Sequence, residues 1–153
     1  MPQPTHPLSR VPRWGWAVAA LLLFVGLTVD DWGRDLTSHS AEISTVAVDD
    51  SLRPLTSIRS TDDVAEAVRW AARRIRNWED IGEAEDGAAT LLLFVRTHRL
   101  LRIKDDVTIR IEDRDGRRVV TGESISRLAI GDLGRNPRNL RRLLAELRAV
   151  LDG

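Results

Sequence analysis

No cysteine occurs among the 153 residues. That excludes disulfides, thiol catalysis, thiolate metal sites and a lipoprotein cysteine. Histidine is scarce: the three are His6, His39 and His98, and two of them precede the expected folded domain. One chain therefore cannot assemble a multi-histidine metal centre, and neither metal nor cofactor is expected. There is no excess of either charge, with 23 basic residues against 23 acidic, so the total exerts no general pull toward nucleic acid or anionic lipid. Lys104 is the only lysine; all the other basic residues are arginine. Nor are aromatic residues interleaved with the arginines of residues 135–148, as single-stranded nucleic-acid binding requires. No internal repeat or low-complexity tract interrupts the expected folded domain.

One long apolar run is present. From Trp14 the chain carries no charge until Asp30, and Trp14, Trp16 and Trp32 bracket the segment. As a helix, residues 14–32 would measure about 28 Å, just enough for a ~30 Å hydrocarbon core. Interfacial tryptophans fit that reading. A core helix would show a polar face, and this run has none. A cleaved signal peptide is the rival, but residues 27–32 offer no Ala-x-Ala site, which favours an uncleaved signal anchor. Arg10 and Arg13 precede the span and Arg34 follows it. The positive-inside rule then puts residues 1–13 in the cytoplasm and the remainder outside, in the cell envelope.

Residues 33–60 read as a linker with one possible strand at 42–48, where Ile43, Val46 and Val48 are apolar. A helix opens at Ser60 or Thr61, with Asp62 and Asp63 suited to its first turn. Val64, Val68, Ala71 and Ile75 mark its buried face, with Trp70 and Trp78 extending that face or lying at its edge. Residues 88–95 read as a strand buried on both faces. Val107, Ile109 and Ile111 alternate with polar residues, and Asp115-Gly116 is a hairpin turn that returns the chain along 117–127. After a glycine-rich turn, Asn136 reads as the cap of a last helix, with Pro137 at its first position. Leu140, Leu143, Leu144, Leu147 and Leu151 form its apolar stripe. The expected fold is α+β: a two-layer domain over residues 61–153, in the order helix, antiparallel strands, helix.

Three motifs in this domain carry a family likeness. Arg102-Ile103-Lys104-Asp105-Asp106-Val107 is similar to paired aspartates opening a strand. Glu123-Ser124-Ile125-Ser126-Arg127 stands where the family usually shows Arg-Ser-x-Ser-Arg. Gly131-Asp132-Leu133-Gly134-Arg135-Asn136 is close to a Ser-Asp-x-Gly-x-Asn turn. Their order and spacing resemble the family called domain of unknown function 1499, from Thr97 to Leu151 and more loosely back to Leu52. The resemblance implies an uncharacterised protein, membrane-associated or exported, and supplies no reaction. The chain departs from the pattern at Glu123, which replaces an arginine, and at Ala129 and Ile130, in place of a glycine and often an aromatic.

Asp105, Asp106, Ser124, Ser126, Arg127, Asp132 and Asn136 thus form the candidate cluster, at strand ends and in the turn before the last helix. The plain reading is structural, with Asp106 or Asp132 pairing Arg127 through a bidentate contact. The sharper reading is a binding site in which Arg127, the serines and the amides of the last helix hold an anion. A phospholipid head group or a peptide carboxylate would suit, from anionic lipid or an envelope protein. The alternative is a hydrolytic or transfer enzyme using Asp105, Asp106 and Ser124, or Ser124 or Ser126 with His98 as base. Arg138, Arg141, Arg142 and Arg148 give the last helix a basic face, either resting on anionic lipid or simply solvated.

Overall fold

The computed structural model describes residues 40–99, 102–128 and 134–152. The expected membrane segment at 14–32 and Asp132 lie outside them. Among the described residues no helix is long and apolar enough to cross a membrane.

In chain order the elements are β1 (Ser40–Ile43), a 3-10 turn (Asp50–Leu52), β2 (Leu55–Ser57), α1 (Thr61–Arg74), β3 (Trp78–Asp86), β4 (Ala89–Thr97), β5 (Lys104–Arg114), β6 (Arg117–Ser126) and α2 (Arg135–Leu151). The six strands form one antiparallel sheet in the order β1-β6-β5-β4-β3, with β2 also paired to β6. Both helices contribute to a single apolar core with the sheet's inner face, so the domain is two-layer α+β.

Both helices follow their sequence periods. The Ser60 hydroxyl accepts from the Asp63 amide and caps α1, leaving Val64, Val68 and Ala71 fully buried. On α2, Leu140, Leu143, Leu144 and Leu147 are at most 1% exposed. Each such side chain contributes about 1.5–3 kcal/mol by leaving water. Facing them on alternate positions of the strands are Leu92, Phe94, Val107, Ile109, Ile111 and Val120.

Elsewhere the elements differ from the sequence reading. The stretch read as linker supplies two strands. β1 covers Ser40–Ile43 and not 42–48; Val46 and Val48 are 85% and 101% exposed, and only Ile43 is buried. β1 and β2 lie end to end along β6, Ile43 opposite Gly122 and Leu55 opposite Val120, as one edge strand interrupted by residues 44–54. The Ser44 amide donates to the Leu52 carbonyl across that excursion. Trp78 does not extend the helix, because α1 ends at Arg74 and Asn77 adopts a positive φ of 67°. Trp78 instead begins β3 and packs on Phe94 with ring centroids 5.8 Å apart. Residues 91–95 are not buried throughout on both faces: Leu92 and Phe94 are buried on the inner face, whereas on the outer face Val95 is buried but Leu91 and Leu93 lie half-buried. Asn136 does not cap α2. Gly134 does, at φ 72° with no side-chain hydrogen bond. Pro137 still falls within the first turn, where amides have no intrahelical acceptor to lose.

Gly122 marks the closest approach in the sheet. A Cβ there would stand 2.6 Å from the Thr108 carbonyl oxygen and 2.7 Å from Ile109 Cδ1. Backbone cannot yield as a flexible side chain can. Gly122→Ala is expected to cost about 1–3 kcal/mol, read as a lower midpoint in urea denaturation; an unchanged midpoint would contradict this packing.

Candidate functional site

The strand register puts one polar end on an otherwise apolar face. Leu92, Ile109 and Gly122 lie side by side across β4, β5 and β6, and Phe94, Val107 and Ser124 form the next row. The last row is Arg96, Asp105 and Ser126. The first turns of α2 lie over these polar rows.

Contacts there are specific. Asn139 Nδ2 donates to Asp105 Oδ2 at 3.0 Å and to Ser124 Oγ at 3.3 Å. Ser124 Oγ donates to Asn136 Oδ1 at 2.6 Å. Arg135 Nη2 donates to Ser126 Oγ at 2.9 Å and stands 3.7 Å from Asp105 Oδ1, an ion pair too long for a hydrogen bond. Asp105, Ser124, Ser126, Asn136 and Asn139 are all buried, and Arg135 is 8% exposed. Among the described residues, Asp105 Oδ1, Arg135 Nε, Arg96 Nε and Asn139 Oδ1 are buried without a hydrogen-bond partner. So many orphaned polar atoms around one point are uncommon, because buried polar groups are nearly always satisfied by protein or water.

The sequence-derived cluster therefore divides. Asp105, Ser124, Ser126 and Asn136 meet on the inner face. Asp106, the next residue along β5, points to the outer face, where Arg127 Nε and Nη2 grip its carboxylate at 2.9 and 2.7 Å. Both partners are half exposed, and the guanidinium holds the Asp106 carboxyl below its ordinary value. Arg127 is thus engaged on the outer face, and the inner face depends on other arginines. Consecutive aspartates on opposite faces cannot act on one substrate atom, and Ser124 has no exposed surface. The acid–base and nucleophile roles drawn for them have no common place in this geometry.

Arg96, Arg135 and Asn139 were not singled out by the sequence, although the signals exist. The β4–β5 register sets Arg96 opposite Asp105, and Arg135 and Asn139 are one helical turn apart. Beside them opens a cleft of about 470 Å3 lined by Arg96, His98, Arg135, Arg138, Arg141 and Arg142, with no carboxylate among its described lining residues. Arg141 is held by Asp49 at 2.6 Å. A smaller hollow of about 290 Å3 lies on the outer face, but its one arginine, Arg110, is already gripped by Asp86 and Glu112.

The cleft runs against two preferences. Arginines at i, i+3 and i+4 repel one another, and Arg135, Arg138 and Arg142 stand at those spacings. Cations are also disfavoured at a helix N-terminus. α1 has Asp62 and Asp63 in its first turn, whereas α2 has no acidic residue there. Burial pulls Arg96 below the ordinary guanidinium value; Asp105 opposes this, and Arg142, Arg138 and Arg135 add to it. Burial, then Arg135 and Arg96, likewise push the His98 imidazole down.

Two stability predictions follow from this arrangement. Asp105→Asn leaves buried arginine without its counter-charge and should cost about 3 kcal/mol or more, whereas Asp106→Asn should leave the denaturation midpoint nearly unchanged. Equal losses would show that burial does not separate the two. For His98, a lowered folded value means the folded chain resists protonation. Stability should fall as pH drops through the imidazole's usual range, from about pH 7 toward 5. His98→Gln should flatten that slope in chemical denaturation, and an unchanged slope would assign it elsewhere.

Comparison with known families agrees with this domain and widens it. Residues 34–147 match the family described as Protein of unknown function (DUF1499), so the match takes in β1 and β2 as well as the later motifs. No curated protein and no solved structure matches the chain. Glu123, where the sequence departs from the family pattern, is exposed on the outer face opposite Thr108, on the other side of the sheet from the arginine cleft. With three quarters of its length matched in one continuous stretch, the chain belongs to the DUF1499 family.

Proposed function

We propose that this domain is an anion-binding module, and that the arginine cleft over Asp105 is its site. The observation that carries this reading is a group of arginines, Arg96, Arg135, Arg138 and Arg142, gathered by the start of α2 with no carboxylate among the described lining residues. Like charges gathered in this way repel one another, and a bound anion relieves that repulsion. An oxyanion entering the cleft supplies the counter-charge and accepts from guanidinium N–H groups arranged as forks, the geometry that phosphate and carboxylate match best. Asp105 beneath holds Arg135 and faces Arg96 without filling the cleft itself. Nothing in this reading requires a bond to be made or broken.

In the same proposal, residues 14–32 anchor the chain as a single pass, with its N-terminus in the cytoplasm and the domain in the envelope. An impermeant maleimide on intact cells tests the topology. An Arg117→Cys variant should label, and a Ser9→Cys variant should stay protected until lysis; the reverse pattern would put the domain inside.

The anion site is tested by titrating inorganic phosphate into the full chain in neutral detergent, with calorimetry and thermal melting. Binding should be saturable, salt-sensitive and stabilising. Arg138→Gln with Arg142→Gln should weaken it at least tenfold, each hydrogen bond to a charged group contributing about 1.5–3 kcal/mol. Equal stabilisation of parent and variant by phosphate would remove the cleft from consideration.

A further inference from the structure

We infer that the cleft end of the sheet is a membrane-facing surface, and that its anion is the phosphate of an anionic phospholipid head group. This rests on the anion-site reading and on the anchor at 14–32, and it adds an orientation that neither contains. The argument starts from where the chain joins the domain. Ser40, the first residue of β1, pairs with Ile125, which pairs with Asp106. The chain therefore joins at the end of the sheet that carries Arg96, Asp105 and Ser126, beside the cleft.

Length restricts what the other end can do. From Trp32 to Ser40 the chain spans about 28 Å when fully stretched. From the level of Ser40, β5 runs about 27 Å to Arg114 at the opposite end. The two lengths are about equal. With the strands upright on the bilayer, the far hairpin could touch it only with this leash drawn taut, whereas the cleft end reaches it with slack.

Charge agrees with that orientation. Thr97 pairs with Lys104, so the turn joining β4 to β5 lies at the cleft end, and it presents Arg99 and Arg102 with Lys104 exposed beside them. Together with the cleft, this end gathers seven basic side chains: Arg96, Arg99, Arg102, Lys104, Arg135, Arg138 and Arg142. Among the described residues the acidic groups there are few: Asp105 is buried, Asp106 is held by Arg127, and Glu79 is exposed. Leu128, 41% exposed, adds an apolar contact at the same rim. The opposite end is mixed in sign, with Asp113 and Asp115 beside Arg114, Arg117 and Arg118. A surface of anionic lipid attracts each basic residue held near it and reaches only about a Debye length, ~8 Å in physiological salt. Only the end that stands on the bilayer gains from it.

Hydrogen exchange of the full chain in lipid nanodiscs tests this, comparing discs of phosphatidylcholine with discs doped with phosphatidylglycerol. Exchange over residues 98–104 and 134–142 should slow at least roughly fivefold in the anionic discs, the equivalent of one arginine's attraction to such a surface. Residues 113–118 should exchange alike in both. The slowing should be lost in the Arg138→Gln, Arg142→Gln variant. No difference between the discs, with phosphate still binding in detergent, would overturn the surface and keep the anion site. A response to added inorganic phosphate in neutral discs, with none to anionic lipid, would assign the cleft to a soluble phosphate and overturn the inference too. Protection at 113–118 instead would reverse the orientation and overturn it. A flat phosphate titration in detergent would fail the earlier reading on its own terms.

Discussion

Removing a carboxylate from water costs several kcal/mol unless charge and hydrogen bonds replace the hydration shell. Asp105 is 1% exposed, and its replacement shell comes from three directions. Asn139 donates from α2, Arg135 approaches from the first turn of the same helix, and Arg96 faces it from β4. The requirement to surround this one group fixes the beginning of α2 over the polar end of the sheet. It also brings in Ser124, bonded to Asn136 and Asn139, and Ser126, bonded to Arg135. The apolar core alone would let α2 slide along its leucine stripe with little penalty. The buried charge removes that freedom.

The same arrangement explains why a polar network and a basic cleft coexist. A carboxylate with one oxygen lacking a hydrogen bond and arginines with unpartnered Nε atoms do not neutralise one another fully. Asp105 offsets part of the positive charge above it and leaves the rest directed outward. A fully paired set would be more stable and inert. This domain tolerates clustered like charges there, a cost in stability that the proposed anion site would account for.

Much of this was legible in the sequence, and what was not has definite causes. The helices announce themselves through 3.6-residue spacing, at Val64, Val68 and Ala71 and again at Leu140, Leu143 and Leu147. β5 and β6 follow from alternation around Asp115-Gly116. β3 was hidden because it is an edge strand with acidic side chains on both faces, and its pairing with β4 shifts register between Asp80 and Gly82, which erases the period-two signal. β1 and β2 were hidden because an interrupted strand offers too few residues for any period. Within the site, Asp105, Ser124, Ser126 and Asn136 were readable as motif residues. Asp106 and Arg127 were readable as a pair but stand on the other face, since neighbours on a strand point in opposite directions. The cleft was missed because a net charge of zero is a sum, and a sum does not record that the arginines of β4 and α2 meet.

The divided edge strand determines how the domain would bear load. Whatever tension arrives along the chain from before residue 40 falls first on β1, four residues long and paired to β6 alone. Its one fully buried side chain is Ile43, at its far end. Residues 44–54 are held to the body separately, by Leu52 in the core and by Asp49 on Arg141. β1 can therefore peel away by itself, as a mechanical fuse, while the β3–β6 meander and both helices keep their shape. A tether that yields in this stepwise way lets the domain follow a moving attachment without unfolding.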